Sequence, residues 1–303
     1  MFKTTKTKKR SGKSGWWILG LIVLVLASTA AAQGEEKRHS WNFALFGGGW
    51  SGQNGDVGNF VQAYDRYFQK WAEAYGCSKS DSLSWPGAGA EFGGEIGYSL
   101  SSRLSIGVAV ERLSKKWEGA FRLGSDWSHS MEMGTSALSI SVLGRYRAPL
   151  TKAASIVFRA GIGTLSGSLD RALERRMPEP FVNILLTADY SATGLTGQAG
   201  IGLEWDLAPR IALQLEGGYR LASLSKWSGD QRVEWDNGES ERSSGDLNYA
   251  EAQIDRERVS TVTHPSLVLG DPLEHGGTLS YRAFKADFSG FCFKAGFVFH
   301  IGR

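Results

Sequence analysis

The sequence predicts an all-β protein: an eight-stranded antiparallel up-and-down transmembrane β-barrel with long extracellular loops and an amphipathic helix in the first loop. Three observations carry that expectation. The segment Phe291 to Ile301 alternates without a break, with Phe291, Phe293, Ala295, Phe297, Phe299 and Ile301 on one face and Cys292, Lys294, Gly296, Val298 and His300 on the other. Successive strand side chains switch faces, so this stretch has one apolar face and one mixed face. Eight such runs follow one another in the chain, and short turns alternate with long connections between them. A closed sheet in a bilayer, apolar outside and polar inside, satisfies all three.

The elements follow in order. Residues 1–32 read as a cleaved signal peptide. Lys3, Lys6, Lys8, Lys9, Arg10 and Lys13 precede an apolar run from Trp16 to Ala27, and Ser28-Thr29-Ala30-Ala31-Ala32 offers small residues for cleavage after Ala32. Residues 33–40 are expected to be a short periplasmic segment and 41–303 the barrel domain.

The first run is Trp41 to Gly49, with Trp41, Phe43, Leu45 and Gly47 outward. The second, Ala88 to Leu100, turns Ala90, Phe92, Gly94, Ile96 and Tyr98 out and Glu91 and Glu95 in. The third starts at Leu104, with Ile106, Val108 and Val110 out and Glu111 in. In the fourth, Leu138, Ile140, Val142, Gly144 and Tyr146 face out and Ser139, Ser141, Arg145 and Arg147 face in. The fifth has Ile156, Phe158, Ala160 and Ile162 out and Arg159 in. The sixth has Leu195 to Leu207 out at every second position, with Glu204 and Asp206 on the other face. The seventh has Ile211, Leu213, Leu215 and Tyr219 out, with Gln214, Glu216 and Arg220 in. The eighth is the final run, expected to begin near Tyr281. Each is close to the ~9–11 residues that a tilted strand needs to cross a bilayer.

Short turns fall at 99–103, 149–152 and 208–210, and long loops are expected at 51–87, 113–136, 165–194 and 222–281. That sorting places the turns in the periplasm and the loops outside the cell. Trp41, Tyr98, Tyr146, Trp205 and Phe299 collect at the turn end of the outward face, as an interfacial girdle does. Trp50, Trp117, Trp227 and Tyr281 lie towards the loop end.

Charge gives no evidence for a nucleic-acid role, and none is expected. The whole chain has 34 basic and 31 acidic residues, but six basic residues leave with the signal peptide, which leaves 28 against 31. Cys77 and Cys292 are the only cysteines, too few for a disulfide framework, though one bridge between them is open.

With these features in place, the chain resembles a small Gram-negative outer-membrane β-barrel protein of the OmpA, OmpX and OmpW kind, in architecture over roughly 41–302. The resemblance implies an integral outer-membrane location and partners among outer-membrane lipids, lipopolysaccharide and the barrel-assembly machinery. It also implies a carboxy-terminal assembly signal, which Lys294, Gly296, Phe299 and Ile301 match in order.

The inward set is Glu91, Glu95, Glu111, Arg145, Arg147, Arg159, Glu204, Glu216, Arg220 and Lys294, five carboxylates against five cations. An eight-stranded barrel is just wide enough for its own side chains to fill. Paired, these residues would plug the lumen; arranged along a path, they would line a narrow passage. In the first loop, Phe60, Tyr64, Phe68, Trp71 and Tyr75 recur at helical spacing. That face predicts either a lid over the barrel mouth or a docking site for lipid or a small hydrophobic ligand. In the fourth loop, Asp230, Glu234, Asp236, Glu239, Glu241 and Asp246 suit a solvated surface better than a cation site, and Trp235 to Glu239 signals a hairpin turn. Arg112, Lys115 and Lys116 stand where the third strand leaves the bilayer, in reach of lipopolysaccharide phosphates. His129-Ser130 and His264-Pro265-Ser266 are the nearest approach to a nucleophile with a base, both expected in loops and neither with a third residue to orient the base. No catalytic, cofactor or metal site is expected. The function predicted is structural or surface-interacting, with a filled lumen. The alternatives are a passive channel for small or hydrophobic solutes and, behind it, lipid A modification.

Overall fold

The computed structural model describes residues 40–52, 55–125, 127–177, 183–256, 259–269 and 278–301. The expected signal peptide lies outside them. Thirteen strands and one helix form: β1 (Trp41–Ser51), α1 (Asp56–Ala74), β2 (Ala88–Ser99), β3 (Leu104–Leu123), β4 (Trp127–Pro149), β5 (Ala154–Arg176), β6 (Ile184–Ala208), β7 (Ile211–Ser225), β8 (Ser228–Trp235), β9 (Ser240–Arg256), β10 (Val259–Leu269), β11 (Thr278–Ala283), β12 (Lys285–Asp287) and β13 (Gly290–Ile301).

Eight of these strands close on themselves. β1 to β7 pair in sequence, each antiparallel to the next, β7 pairs with β13, and β13 pairs with β1 from Trp41↔Ile301 to Ser51↔Phe291. Closure leaves no unpaired edge in the ring, which removes the usual hazard of a sheet. Gly296 marks a close approach: a Cβ there would sit 2.1 Å from the Leu45 carbonyl oxygen, so only glycine fits beside β1.

Burial alternates along the ring strands as the period of two demands. Outward apolar side chains stay uncovered, with Leu195 and Phe293 at 69% and Leu45 at 65% exposure. Trp41 and Trp205 are exposed and Tyr98 and Tyr146 half-buried at the short-turn end, where Trp41 meets Tyr98 edge-on at 5.2 Å. Trp50, Trp117 and Trp227 sit at the opposite end but point inward and are buried.

The expected loops 113–136 and 165–194 are not loops. β3, β4, β5 and β6 run on through them as paired strands. The period of two persists there, but the polarity of the faces exchanges. On β3, Val108 and Val110 face out and Glu111 in; two residues on, Leu113, Trp117, Phe121 and Leu123 face in, while Lys116 and Arg122 face out. On β4, Leu138, Ile140 and Val142 face out below, and Met131, Met133 and Ala137 face in above. β5 makes the same change at Leu165. Each strand thus carries an apolar exterior in its lower half and an apolar interior in its upper half.

The fourth expected loop also corrects. β7 stops at Ser225, where Lys226 adopts φ 62° and turns the chain away. The Trp235–Glu239 turn forms, but between β8 and β9, a separate hairpin that adds to the upper half of β6 through Ile184↔Trp235 to Ser191↔Ser228. β10 and β11 both pair with β9, and β12 with the end of β7. The final ring strand begins at Gly290 and not near Tyr281, which belongs to β11; Phe284 and Phe288, between the short strands, are buried.

Candidate functional site

The ring's lower interior holds a continuous ionic network. Arg220 bonds Glu91 at 2.6 Å and Glu111 at 2.8 Å, and Lys294 reaches the same two carboxylates at 2.9 and 2.7 Å. Arg159 joins Glu111 at 3.0 Å to Glu216 at 3.1 Å, with Glu95 at 3.6 Å. Arg145 spans Glu95 at 3.4 Å and Glu204 at 3.0 Å; Arg147 spans Glu204 at 3.2 Å and Asp206 at 2.9 Å. All ten residues named from sequence therefore come together, nine buried and Arg147 half-buried. Every carboxylate faces at least one cation, as buried charge requires.

Five participants escaped the sequence set. Gln214 accepts from Arg145 at 2.8 Å and donates to Glu216 at 2.9 Å; Gln198 donates to Ser141 at 3.2 Å. Asp206 ends the chain of ion pairs, and His300 faces Glu204 with Asn42 behind it. The signal for these was present, since each alternates onto an inward face, but neutral and terminal residues do not enter a count of charges.

Above the network, α1 packs into the apolar interior of the upper strands. Val57, Phe60, Val61, Tyr64, Tyr67, Phe68 and Ala72 are buried against residues such as Trp117, Phe121, Met133, Leu169 and Tyr190. Phe60, Tyr64 and Phe68 hold the expected aromatic face. Trp71 is only half-buried, stacked 4.2 Å from Tyr75, which is exposed at the helix end. The two valines and Tyr67 complete the buried face in their place. Asp56, in the first helical turn, is held by Arg282 on β11 and by the Lys285 amide at 2.8 Å, which ties the helix start to the upper sheet. Midway along the helix, Asp65 accepts from Lys79 and the Leu83 amide, both at 2.6 Å.

Lys115 corrects a second expectation. It points inward, buried, with its ammonium 4.4 Å from the Trp50 ring, and burial pushes its pKa down to about 8. Arg112 and Lys116 keep the exposed outer face. His129 and Ser130 lie within β4 and not in a loop. His129 faces in and Ser130 out, so the two cannot act on one another. His129 stacks flat on Phe121 at 4.9 Å, neither ring nitrogen has a hydrogen-bond partner among the described residues, and burial beside Arg175 drives its pKa down to about 3. His264 belongs to β10 opposite Ala252, again a strand; its side chain lies outside the described residues. Both cysteines are free. The acidic residues of the fourth connection stand on the β8–β9 hairpin, where Asp230 meets Arg242 at 3.4 Å on the surface.

No family model and no curated protein matches the chain. Among solved structures, a major outer membrane protein from Thermus thermophilus is similar at a TM-score of 0.37 and 11% identity, covering 87% of this chain and 99% of that one. The outer membrane protease OmpT from Escherichia coli is similar at 0.28 and 8%, covering 87% and 95%. At these scores the likeness carries no residue role across.

Proposed function

We propose that the chain is an integral outer-membrane β-barrel whose lumen is closed by its own side chains and whose upper strands present a surface outside the cell. One observation supports this above all: the exchange of polarity midway along β3 to β6. A ring with an uncovered apolar exterior is stable against acyl chains and costly in water, whereas the upper half, charged outside and apolar inside, is built as a water-soluble domain is. The seam between the two is the membrane surface. Arg112 and Lys116 stand at that seam on the outer face, suited to lipopolysaccharide phosphates.

The network and the helix close the interior twice, which favours a structural or surface-interaction role over conduction. Lys294, Gly296, Phe299 and Ile301 are read as the signal to the assembly machinery, and residues 1–32 as the export signal, with Gln33 as the mature amino terminus. Unboiled protein from membrane fractions is expected to migrate faster in gels than boiled protein, and planar bilayers containing it to stay electrically silent. Identical migration together with recovery in the soluble fraction would sink the barrel; discrete openings would replace the plug with a channel.

A further inference from the structure

We propose that Glu204, Asp206 and His300, at the short-turn mouth of the ring, bind one divalent ion of the zinc class. β6 supplies Glu204 and Asp206 two residues apart, on the same face, and β13, separated from β6 in the ring by β7 alone, supplies His300. Their ligand atoms lie within 4.8 Å of one another. One imidazole nitrogen with two carboxylate oxygens is a donor set that zinc accepts in a site that keeps an open position.

The hydrogen bonds around His300 point the same way. Asn42 uses its Nδ2 to donate to Ser99 Oγ at 3.0 Å, so its Oδ1 faces His300 Nδ1, 2.7 Å away, as an acceptor. Nδ1 therefore serves as the donor of that bond, and Nε2 is the ring nitrogen left to face the carboxylates. Nε2 is buried, has no hydrogen-bond partner among the described residues, and aims at Glu204 Oε1 3.6 Å away, which accepts no hydrogen bond among them either. Arg147 Nη2 lies 3.2 Å from that same oxygen, and a dication in its place would engage Glu204 Oε1 and His300 Nε2 together. An outer amide that fixes the tautomer of a ligating histidine is the usual support of such a site. His300 and Glu204 also wall a cavity of about 40 Å³ with Asn42, Ser99 and Arg147, room for an ion and a water.

Arg147 is the resident competitor. Its Nη2 lies 3.2 Å from Glu204 and 2.9 Å from Asp206, bridging the carboxylates as a dication would. It is also one of the more exposed members of the network, at 20% of its side chain, and Asp206 is at 28%. Ion binding requires Arg147 to swing towards solvent and the ligand atoms to draw in to roughly 3.3 Å separations, as zinc bond lengths of ~2.1 Å demand. Arg145 keeps its hold on Glu204 Oε2 throughout, which leaves Oε1 for the ion.

Titration calorimetry of the full chain folded in detergent micelles tests this with Zn²⁺ alone. One equivalent is expected to bind. His300→Gln should weaken binding at least tenfold, and Arg147→Gln, which removes the competitor, should tighten it about tenfold. Asn42→Ala should weaken it without removing a ligand. Should His300→Gln fail to give the fast-migrating folded band, Asp206→Asn decides, with a tenfold loss expected. Absence of binding, affinity unchanged in His300→Gln or Asp206→Asn, or no gain in Arg147→Gln overturns the site. Tighter binding of Mg²⁺ than of Zn²⁺ overturns the class of ion.

Discussion

The lower and upper halves of β3 to β6 are made of the same strands in the same register, yet they solve opposite problems. In the lower half the chain puts Leu, Ile, Val and Phe outside and pairs Glu91, Glu111, Arg159, Arg220 and Lys294 within. In the upper half it puts Lys116, Glu118, Glu132 and Asp170 outside and packs α1 against Phe121, Met133 and Leu169 within. Hydrogen bonding is indifferent to the change, because backbone pairing runs through the seam without interruption. Under the proposed reading, what changes is the solvent. A sheet has no preferred inside; the medium on each face decides which side chains it will tolerate.

The sharpest way to break the lower half is to remove one charge. Arg220→Leu leaves Glu91 and Glu111 short of a partner in a dry interior, and a loss of about 3–5 kcal/mol is expected from urea unfolding in lipid vesicles. The upper half should answer to a packing defect instead. Phe68 is buried between Tyr64, Phe121 and His129, and Phe68→Ala is expected to cost about 3 kcal/mol locally. Protease should then cut α1 in intact cells while the ring keeps its fast-migrating band; loss of the ring as well would mean that the halves do not fold separately.

The outer faces give a paired test. Val142→Arg, against acyl chains, should cost about 2–4 kcal/mol. Glu132→Arg, ten residues earlier on the same strand and in water, should change stability by less than about 0.5 kcal/mol. Equal costs would erase the proposed seam.

Mild acidification, down to the carboxylate range, should loosen the upper half. His129 is buried neutral, with a pKa of about 3 against the ordinary 6.5. Protons therefore favour the opened state: the contribution is whole above pH 6.5 and declines as pH falls towards 3. Proteolysis of α1 is expected to rise between pH 7 and pH 4, and His129→Phe to flatten that rise. An unchanged slope in the variant would assign the effect to other groups.

The lower half of the ring was readable because each strand keeps a single apolar face there, so that Leu138, Ile140 and Val142 announce themselves without knowledge of their neighbours. The upper strands were not, although Met131, Met133 and Ala137 alternate as regularly. Their apolar set occupies the opposite phase, and a reader following one face sees the pattern stop at Leu138 and infers a loop. Lys115 was misplaced because its charge was read as outward, while it keeps the inward phase of Glu111, Leu113 and Trp117. The helix was legible from its spacing, but its end was not, because Tyr75 fits the stripe while lying just past the helix and exposed, and Trp71 packs on Trp127 at only partial burial. The charged network was legible as a set and not as a wiring diagram. That Arg220 of β7 chooses Glu91 of β2 and Glu111 of β3 depends on distances across the ring, which no local pattern contains.

The exchange of faces also works as a draught mark. Sliding the ring outward by one strand repeat would lift Phe92 and Leu195 into water, and sinking it would drag Lys116 and Glu132 among acyl chains. Under the proposed reading the molecule sets its own depth, and a bilayer of the wrong thickness has to thin or swell around it rather than the reverse.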